Sequence, residues 1–514
     1  MAQVVIRTNL AASSFPFLSE FSGRGIVVKQ QDQNYVPAIG SSADPDKDIG
    51  IPQLYYCENV IPTSQGYQSV GYEQRTAPVS SSVVFDQVFS VIGPNSGEKA
   101  FIGRDALFNG LYYMRDPNYD TWTSIGASAN YSGTITTAYV NGTTYVFFAK
   151  KGCYKYDFAG NTLTAVALAG LTVANMLGIV AVQGYMLAWS KSAIAWSSLI
   201  DPTDFVPSLI TGAGGGSVQG ARGDLVACIS HTIGLVIYTN QNAVAAPTSG
   251  NTRYPFNFRE LVASGGLASI DKVTYDANSG NHYAYTTSGM QLISLQQTQT
   301  VFPEVTDFLA GSVFESFDPT LEALVTEHLT STMSKKLTLI SDRYLCISYG
   351  ISYGFPSYSH VIIYDLSLKR WGKLAHNHYD IFEFSLLAAE TVETPRHSIA
   401  LLGFMGNIDI VNIDTRDSSD GIIIMGKYQY VRSRVLKLDT VEIENVQPGD
   451  PIRCIDRYAL DGKTTANAAG TLLSSSGQVR KFGFNKTALN HSLLIRGAFN
   501  LVSMVMAFHV GGRR

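Results

Sequence analysis

GTTYVFFAKKGCYKYD, residues 142–157, reads as two strands around a tight turn. Thr, Tyr, Val and Phe crowd its first half, and these residue types suit a pleated, half-buried surface. Lys150, Lys151 and Gly152 interrupt the run, and Tyr154 and Tyr156 then recur at a spacing of two, on one face. The pattern is that of a β-hairpin.

Patterns of this kind recur near 101–122, 135–167, 177–205, 225–261, 273–308, 337–374 and 398–414. Their starts lie roughly 40 to 60 residues apart, in or near the range of propeller blades. The chain is therefore read as all-β, a β-propeller of about six or seven blades spanning 81–419. Radial repetition buries each sheet against its neighbours and protects its edges. A pair of stacked β-sandwiches is the rival arrangement. Residues 1–80 read as an irregular segment, with an exposed loop at SSADPDKDIGIP (41–52). Residues 420–514 read as a β-rich platform, an antiparallel sheet or small sandwich on which the N-terminal segment packs. One helix is expected, at PTLEALVTEHL (319–329), from the spacing of Leu321, Leu324, Val325 and Leu329.

Composition narrows the functions. Charged residues make up 15% of the 514 and the net charge is −4, so there is no basic excess for tight binding to phosphates. Lys427, Arg432, Arg434 and Lys437 form a local basic group, read as solvent-facing strand residues. A low charged fraction also suits a surface partly covered by partners. The five cysteines are scattered with no CxxC pair, which argues against a disulfide framework or structural zinc and for folding in a reducing compartment. No apolar run reaches the roughly twenty residues of a membrane helix, and no signal peptide is expected.

Four stretches invite a chemical reading. AWSSLIDPTDF (195–205) offers Asp201 and Asp204 as paired carboxylates beside Ser197 and Ser198. No histidine follows nearby and no GxSxG elbow lies within the stretch, while Asp-Pro-Thr-Asp is also a turn sequence, and the turn is preferred. HNHYD (376–380) places His376, His378 and Asp380 at alternate positions, a metal-ligand spacing if the stretch is one strand; a polar outer face is preferred. GAGGGSVQGARG (212–223) lacks the Lys-Ser/Thr of a phosphate loop and reads as a connector. The aromatic loops TSGNTRYPFNFRE (248–260) and SYGISYGFPSYSH (348–360) are candidate binding loops, with packing over blade ends as the plainer account. No residue is assigned a catalytic, cofactor-binding or metal-binding role, and no cofactor is expected.

Several segments, in order, resemble the tail-nozzle (tail-hub) proteins of short-tailed bacteriophages. IPQLYYCENVIPTSQGYQSVGYEQRTAP (51–78) is similar to the opening of that family. AIAWSSLIDPTDFVPSLITGAGGG (193–216) resembles a blade ending followed by a glycine-rich connector. VIIYDLSLKRWGKL (361–374) resembles a later blade, and YVRSRVLKLDTVEIENV (430–446) the strand pair that begins the family's platform. The longer aromatic loops and an insertion at 310–335 depart from the family pattern. The resemblance implies a non-enzymatic structural virion protein: a hexameric ring in the tail, assembled in the host cytoplasm, below the portal and its adaptor (head-completion) protein. Double-stranded DNA passes through its lumen, and it docks tail tip, needle or fibre proteins without inserting into a membrane. The alternative is a glycan-binding or glycan-degrading propeller whose aromatic loops stack on sugars and whose carboxylates hydrolyse them.

Overall fold

The computed structural model describes residues 3–9, 26–28, 54–74, 83–94, 99–105, 107, 109–115, 118–252, 254–310, 313–318, 323–328, 334–350, 358–386, 396–403, 406–412, 421–425, 428–430, 434–445, 452–459, 465–476 and 478–513. The loop expected at 41–52 lies outside them, as do Lys427 and Arg432.

The hairpin at 142–157 forms as its sequence suggests. Thr143–Phe148 and Gly152–Asp157 pair antiparallel, with Phe148 opposite Gly152. Lys150 makes the turn at φ 64. Ile135–Val140 and Thr162–Val166 flank the hairpin to complete a four-stranded antiparallel sheet. Seven such units follow one another. Their first strands are Phe85–Ile92, Ile135–Val140, Met176–Val182, Leu225–His231, Val273–Asp276, Lys335–Ile340 and Asp380–Leu386. These strands form the inner ring of a seven-bladed β-propeller, which displaces the sandwich alternative.

Every neighbouring pair of blades is linked by a hydrogen bond or ion pair. Thr144 Oγ1 of blade 2 donates to the Ile92 carbonyl of blade 1 at 2.7 Å. The Ile179 amide of blade 3 donates to Thr136 Oγ1 of blade 2 at 2.9 Å, and the Leu225 amide of blade 4 to the Lys191 carbonyl of blade 3 at 2.7 Å. Tyr238 and His282 join blades 4 and 5 at 2.8 Å, and the Leu339 amide of blade 6 reaches Thr274 Oγ1 of blade 5 at 3.1 Å. Asp380 of blade 7 pairs with Lys336 of blade 6 and accepts the Val88 amide of blade 1 at 2.8 Å. The ring is closed by the N-terminal part of the chain: Gly71–Gln74 is the fourth strand of blade 7, beside Ile408–Asn412. Of residues 1–80, expected to be irregular, the described 3–9, 26–28 and 54–74 are largely extended. They supply strands to the propeller and to the platform.

The platform is a pair of sheets. One is continuous with blade 6. From that blade's outer strand Arg370–His378 the pairing passes through Val60–Pro62, Tyr67–Ser69, Asn500–Arg513, Arg434–Asn445 and Val479–Ala488 to Thr471–Ser476, and Gln3–Asn9 pairs with Asn500–Arg513. The other is built on Asn490–Gly497, with Gly421–Met425, Tyr428–Tyr430 and Ile452–Ala459 beside it and Leu54–Glu58 beyond. On Arg434–Asn445 the buried apolar positions are Leu436 and Leu438, then Val441 and Ile443. The change of parity coincides with a register shift between Leu438 and Thr440, which keeps both halves facing the core. His491 ties the two sheets together, 3.0 Å from the Asp456 carboxylate in its own sheet and 2.9 Å from the Leu436 carbonyl in the other. A single apolar core runs from the platform, through Ile423, Leu494 and Phe508, into Phe308, Leu345 and Ile362 of the propeller side.

The helix expected at 319–329 is not formed. Ala323–His328 is a strand paired with Val313–Asp318, with Val325 opposite Ser316. A short helical spacing carries little stability by itself, and an adjacent partner strand outweighs it. The glycine run is likewise not a mere connector, since Gly214–Ser217 is the outer strand of blade 3.

Candidate functional site

Ser197, Ser198, Asp201 and Asp204 lie on the crossover between the third and fourth strands of blade 3, and all four are engaged in shaping it. Ser197 Oγ accepts the Met186 amide at 3.0 Å and donates to the Ser198 carbonyl at 2.9 Å. Ser198 Oγ accepts the Ile200 amide at 3.1 Å. Asp201 Oδ1 accepts both the amide and the hydroxyl of Thr203, at 2.9 and 2.7 Å. Asp204 Oδ1 accepts the Val206 amide at 3.0 Å. These are side-chain turns of the kind Asp and Ser form with backbone two residues on. No base faces either serine among the described residues.

His376, His378 and Asp380 do not converge. His378 ends the outer strand of blade 6, and Asp380 begins the inner strand of blade 7, so the three do not share one strand. His376 Nε2 pairs with Asp409 at 3.0 Å. His378 Nδ1 lies 2.7 Å from the His376 carbonyl, which only accepts, so Nδ1 carries the proton and Nε2 accepts the Ser348 hydroxyl at 2.8 Å. Burial lowers the His378 pKa to about 3 and keeps the ring neutral. This serine–imidazole pair has the tautomer of a nucleophile and its base, but both residues are fully buried and the Tyr358 ring stacks on the imidazole at 5.4 Å. It joins strands instead of facing a substrate.

Two concavities stand out among the described residues. The first, of about 300 Å³, lies at the mouth of the propeller axis, where blades 1, 2, 5, 6 and 7 contribute residues. Its charges are Asp86, Arg104, Asp271, Lys336 and Asp380. Arg104 holds Asp86 through Nε at 2.9 Å and Nη2 at 2.5 Å, and its Nη1 reaches the Gly133 carbonyl. Burial raises the Asp380 carboxyl above its ordinary value, against the pull of Lys336. Burial also opposes the charge on Lys336, but Asp380 and Asp271 together raise its pKa. The Lys336–Asp380 pair joins the inner strands of blades 6 and 7, and Arg104 reaches from blade 1 to the segment that leads into blade 2. No group of three potential metal ligands occurs among the described residues.

The second is a lateral groove of about 440 Å³ between the outer parts of blades 3 and 4. The 195–223 region supplies Trp196, Leu209 and the glycine strand, and the aromatic loop at 248–260 supplies Tyr254 and Phe258. Trp196 is fixed by donating Nε1 to the Gly212 carbonyl at 2.9 Å. A Cβ on Gly214 would come within 2.9 Å of that indole, so the ring lies across the strand because position 214 has no side chain. Of the groove's lining, Leu209 and Tyr254 are exposed by 76% and 60%, and Ile210, next to Leu209 in the chain, by 96%. Contiguous exposed apolar side chains mark interaction surfaces more often than isolated ones do.

Sequence reasoning singled out the two segments that form this groove without joining them. It missed the axial charges, which come together only through closure of the ring. Of the other aromatic loop, 351–357 lie outside the described residues. Of the basic group, Lys437 is half-buried on the platform strand Arg434–Asn445, on which Arg434 also lies.

No protein-family model matches the chain, and no curated protein sequence matches it. Solved structures similar to it include the WD40 β-propeller domain of Doa1, at 8% identity and a TM-score of 0.39, covering 67% of this chain and 98% of that one. YCF48 bound to D1 peptide is similar at 11% identity and a TM-score of 0.38, covering 67% and 97%.

Proposed function

We propose that the chain is the subunit of a tail nozzle of a short-tailed bacteriophage, a ring below the portal and adaptor that conducts and retains genomic DNA. The observation that carries this reading is the sheet that runs without a break from blade 6 into the platform. It makes propeller and platform one stiff body, as a load-bearing segment of a conduit under internal pressure needs. That each subunit has these two parts is what the resemblance at 51–78, 193–216, 361–374 and 430–446 implies.

The chemistry at the candidate positions fits a structural role. Ser197, Ser198, Asp201 and Asp204 are spent on turn geometry, and the buried Ser348–His378 pair has no approach for a substrate. A net charge of −4 suits a DNA passage, since many phosphate contacts would hold the departing duplex in place. The decisive experiment is mass photometry of the purified chain with and without its adaptor, followed by electron microscopy of the particle. A closed ring, six subunits by the family resemblance, is expected. A species that stays monomeric at micromolar concentration with adaptor present overturns the reading.

A further inference from the structure

We propose that the mouth of the propeller axis is a binding site for a single neutral sugar residue, held by side chains that blades 1, 2, 5 and 6 bring together. This goes beyond the nozzle reading and does not depend on it, because it concerns a cavity within one chain.

The polar groups that line the mouth fall into two sets. In one, charges are matched: Arg104 holds Asp86 through two nitrogens, and Lys336 pairs with Asp380. In the other are Gln87, Thr134, Asp271 and Tyr358. These four line the same concavity of about 300 Å³, and their side chains make no hydrogen bond or ion pair among the described residues. Their positions are fixed from behind. Gln87 lies in register opposite Arg104 within blade 1. Thr134 precedes the first strand of blade 2, and its carbonyl accepts the Ala149 amide at 2.9 Å. Asp271 sits in the short helical turn Ile270–Lys272 that leads into blade 5. The Tyr358 ring, on blade 6, stacks on His378 at 5.4 Å, and burial raises the pKa of its hydroxyl, which stays protonated. The four converge only in the closed ring.

The chemistry of these free groups selects the ligand. The Gln87 amide and the Thr134 and Tyr358 hydroxyls each donate and accept, while the two oxygens of Asp271 only accept. A ligand hydroxyl also donates and accepts, so several hydroxyls on one small ring complement this set, with two neighbouring ones placed to donate to Asp271.

Other ligand classes fit less well. No aliphatic side chain lines the mouth, which disfavours an apolar molecule. Three carboxylates, Asp86, Asp271 and Asp380, face two cations, Arg104 and Lys336, which disfavours an anion. An organic cation would compete with Lys336, which already draws on both Asp380 and Asp271. The volume lies at the lower end of small-molecule sites and suits one ring better than a chain.

The test is saturation-transfer NMR on the purified full chain, with neutral hexoses, N-acetylhexosamines and the methyl glycosides of both. Putrescine, acetate and calcium chloride are the charged probes. At least one neutral sugar should bind saturably at about millimolar concentration, and no charged probe should displace it. A methyl glycoside that binds as well as its free sugar assigns the mouth to the end of a glycan chain, and binding of the free sugar alone assigns it to a solute. Asp271→Ala should weaken binding about tenfold or more and Gln87→Ala about threefold or more, as befits a charged and a neutral hydrogen-bonding partner. Neither side chain is bonded within the chain, and an unchanged melting temperature establishes that each variant is folded. Tyr254→Ala, in the lateral groove, should leave binding as it is. Four outcomes overturn the proposal. They are no saturable binding of any neutral sugar, displacement of the sugar by putrescine or calcium, affinity unchanged in both Asp271→Ala and Gln87→Ala, and loss of binding in Tyr254→Ala. The last would move the sugar to the lateral groove.

Discussion

Lys373, on the outer strand of blade 6, lies in register opposite Val60, on the first strand of the platform sheet. Both residues are fully buried. The pairing means that the two parts share a hydrogen-bonded sheet as well as an apolar core, so they should unfold together. Differential scanning calorimetry should show one transition. Val60→Pro removes an amide and forces the backbone within a strand paired on both sides, at a cost of about 3 kcal/mol or more. Two well-separated endotherms in the unmodified protein would contradict this coupling.

Closure of the ring between blades 7 and 1 depends on Gly406. Its φ is +79, and a Cβ there would fall 2.3 Å from the Phe85 ring, while its carbonyl accepts Trp122 Nε1 at 2.8 Å. Gly406→Ala should destabilise the protein by about 1–3 kcal/mol, through backbone strain and overpacking together. Gly216→Ala, at a glycine with open space around it, should change stability by no more than about 0.5 kcal/mol. Urea midpoints of the two variants provide the comparison, and equal shifts would refute the packing account.

Acid should loosen the propeller before the carboxylates titrate. Burial lowers the pKa of His282 and of His378 to about 3, whereas an unfolded histidine titrates near 6.5. Between those values the unfolded chain binds more protons than the folded one. The stability contributed by each neutral ring is complete above about pH 6.5 and is lost as pH falls toward 3. Each site should account for about 2 kcal/mol of lost stability between pH 7 and pH 5. His378→Gln should flatten the stability profile between those pH values, and a profile unchanged by the substitution would remove His378 from the account.

The crossover of blade 3 should tolerate loss of charge and not loss of its turn oxygens. Asp201→Asn and Asp204→Asn retain an oxygen for the Thr203 and Val206 amides, and stability should stay within about 0.5 kcal/mol. Ser198→Ala removes the acceptor of the Ile200 amide and should cost about 1 kcal/mol. Thermal melts of the three variants check the order.

The parts of the fold legible in the sequence are those held by local chemistry. Besides the hairpin at 142–157, the Tyr-Asp turns after Tyr156, Tyr275 and Tyr364 form because Asp157, Asp276 and Asp365 accept backbone amides two and three residues on. The Asp201–Asp204 turn was legible for the same reason. What could not be read was pairing over long separations. Nothing local in Gly71–Gln74 announces that its partner is Ile408–Asn412, nor in Val60–Pro62 that it lies against blade 6. The misread stretch at 319–329 fails similarly, since its spacing is helical but its neighbour is a strand. Exposure was equally hidden: Ile210 looks like a core residue until the crossover is seen to turn it outward.

Among the described residues, several pairings join an early segment to a late one. Gly71–Gln74 completes the blade begun at Asp380, and Gln3–Asn9 lies along Asn500–Arg513, with Gln3 opposite His509. During synthesis, therefore, the earlier strand of each pair is made long before its partner. Until the later strands are made, the propeller ring stays open and the platform sheet half-built. A chain cut before Asn500 therefore lacks the strand against which Gln3–Asn9 pairs, and one cut before Ile408 lacks the partner of Gly71–Gln74.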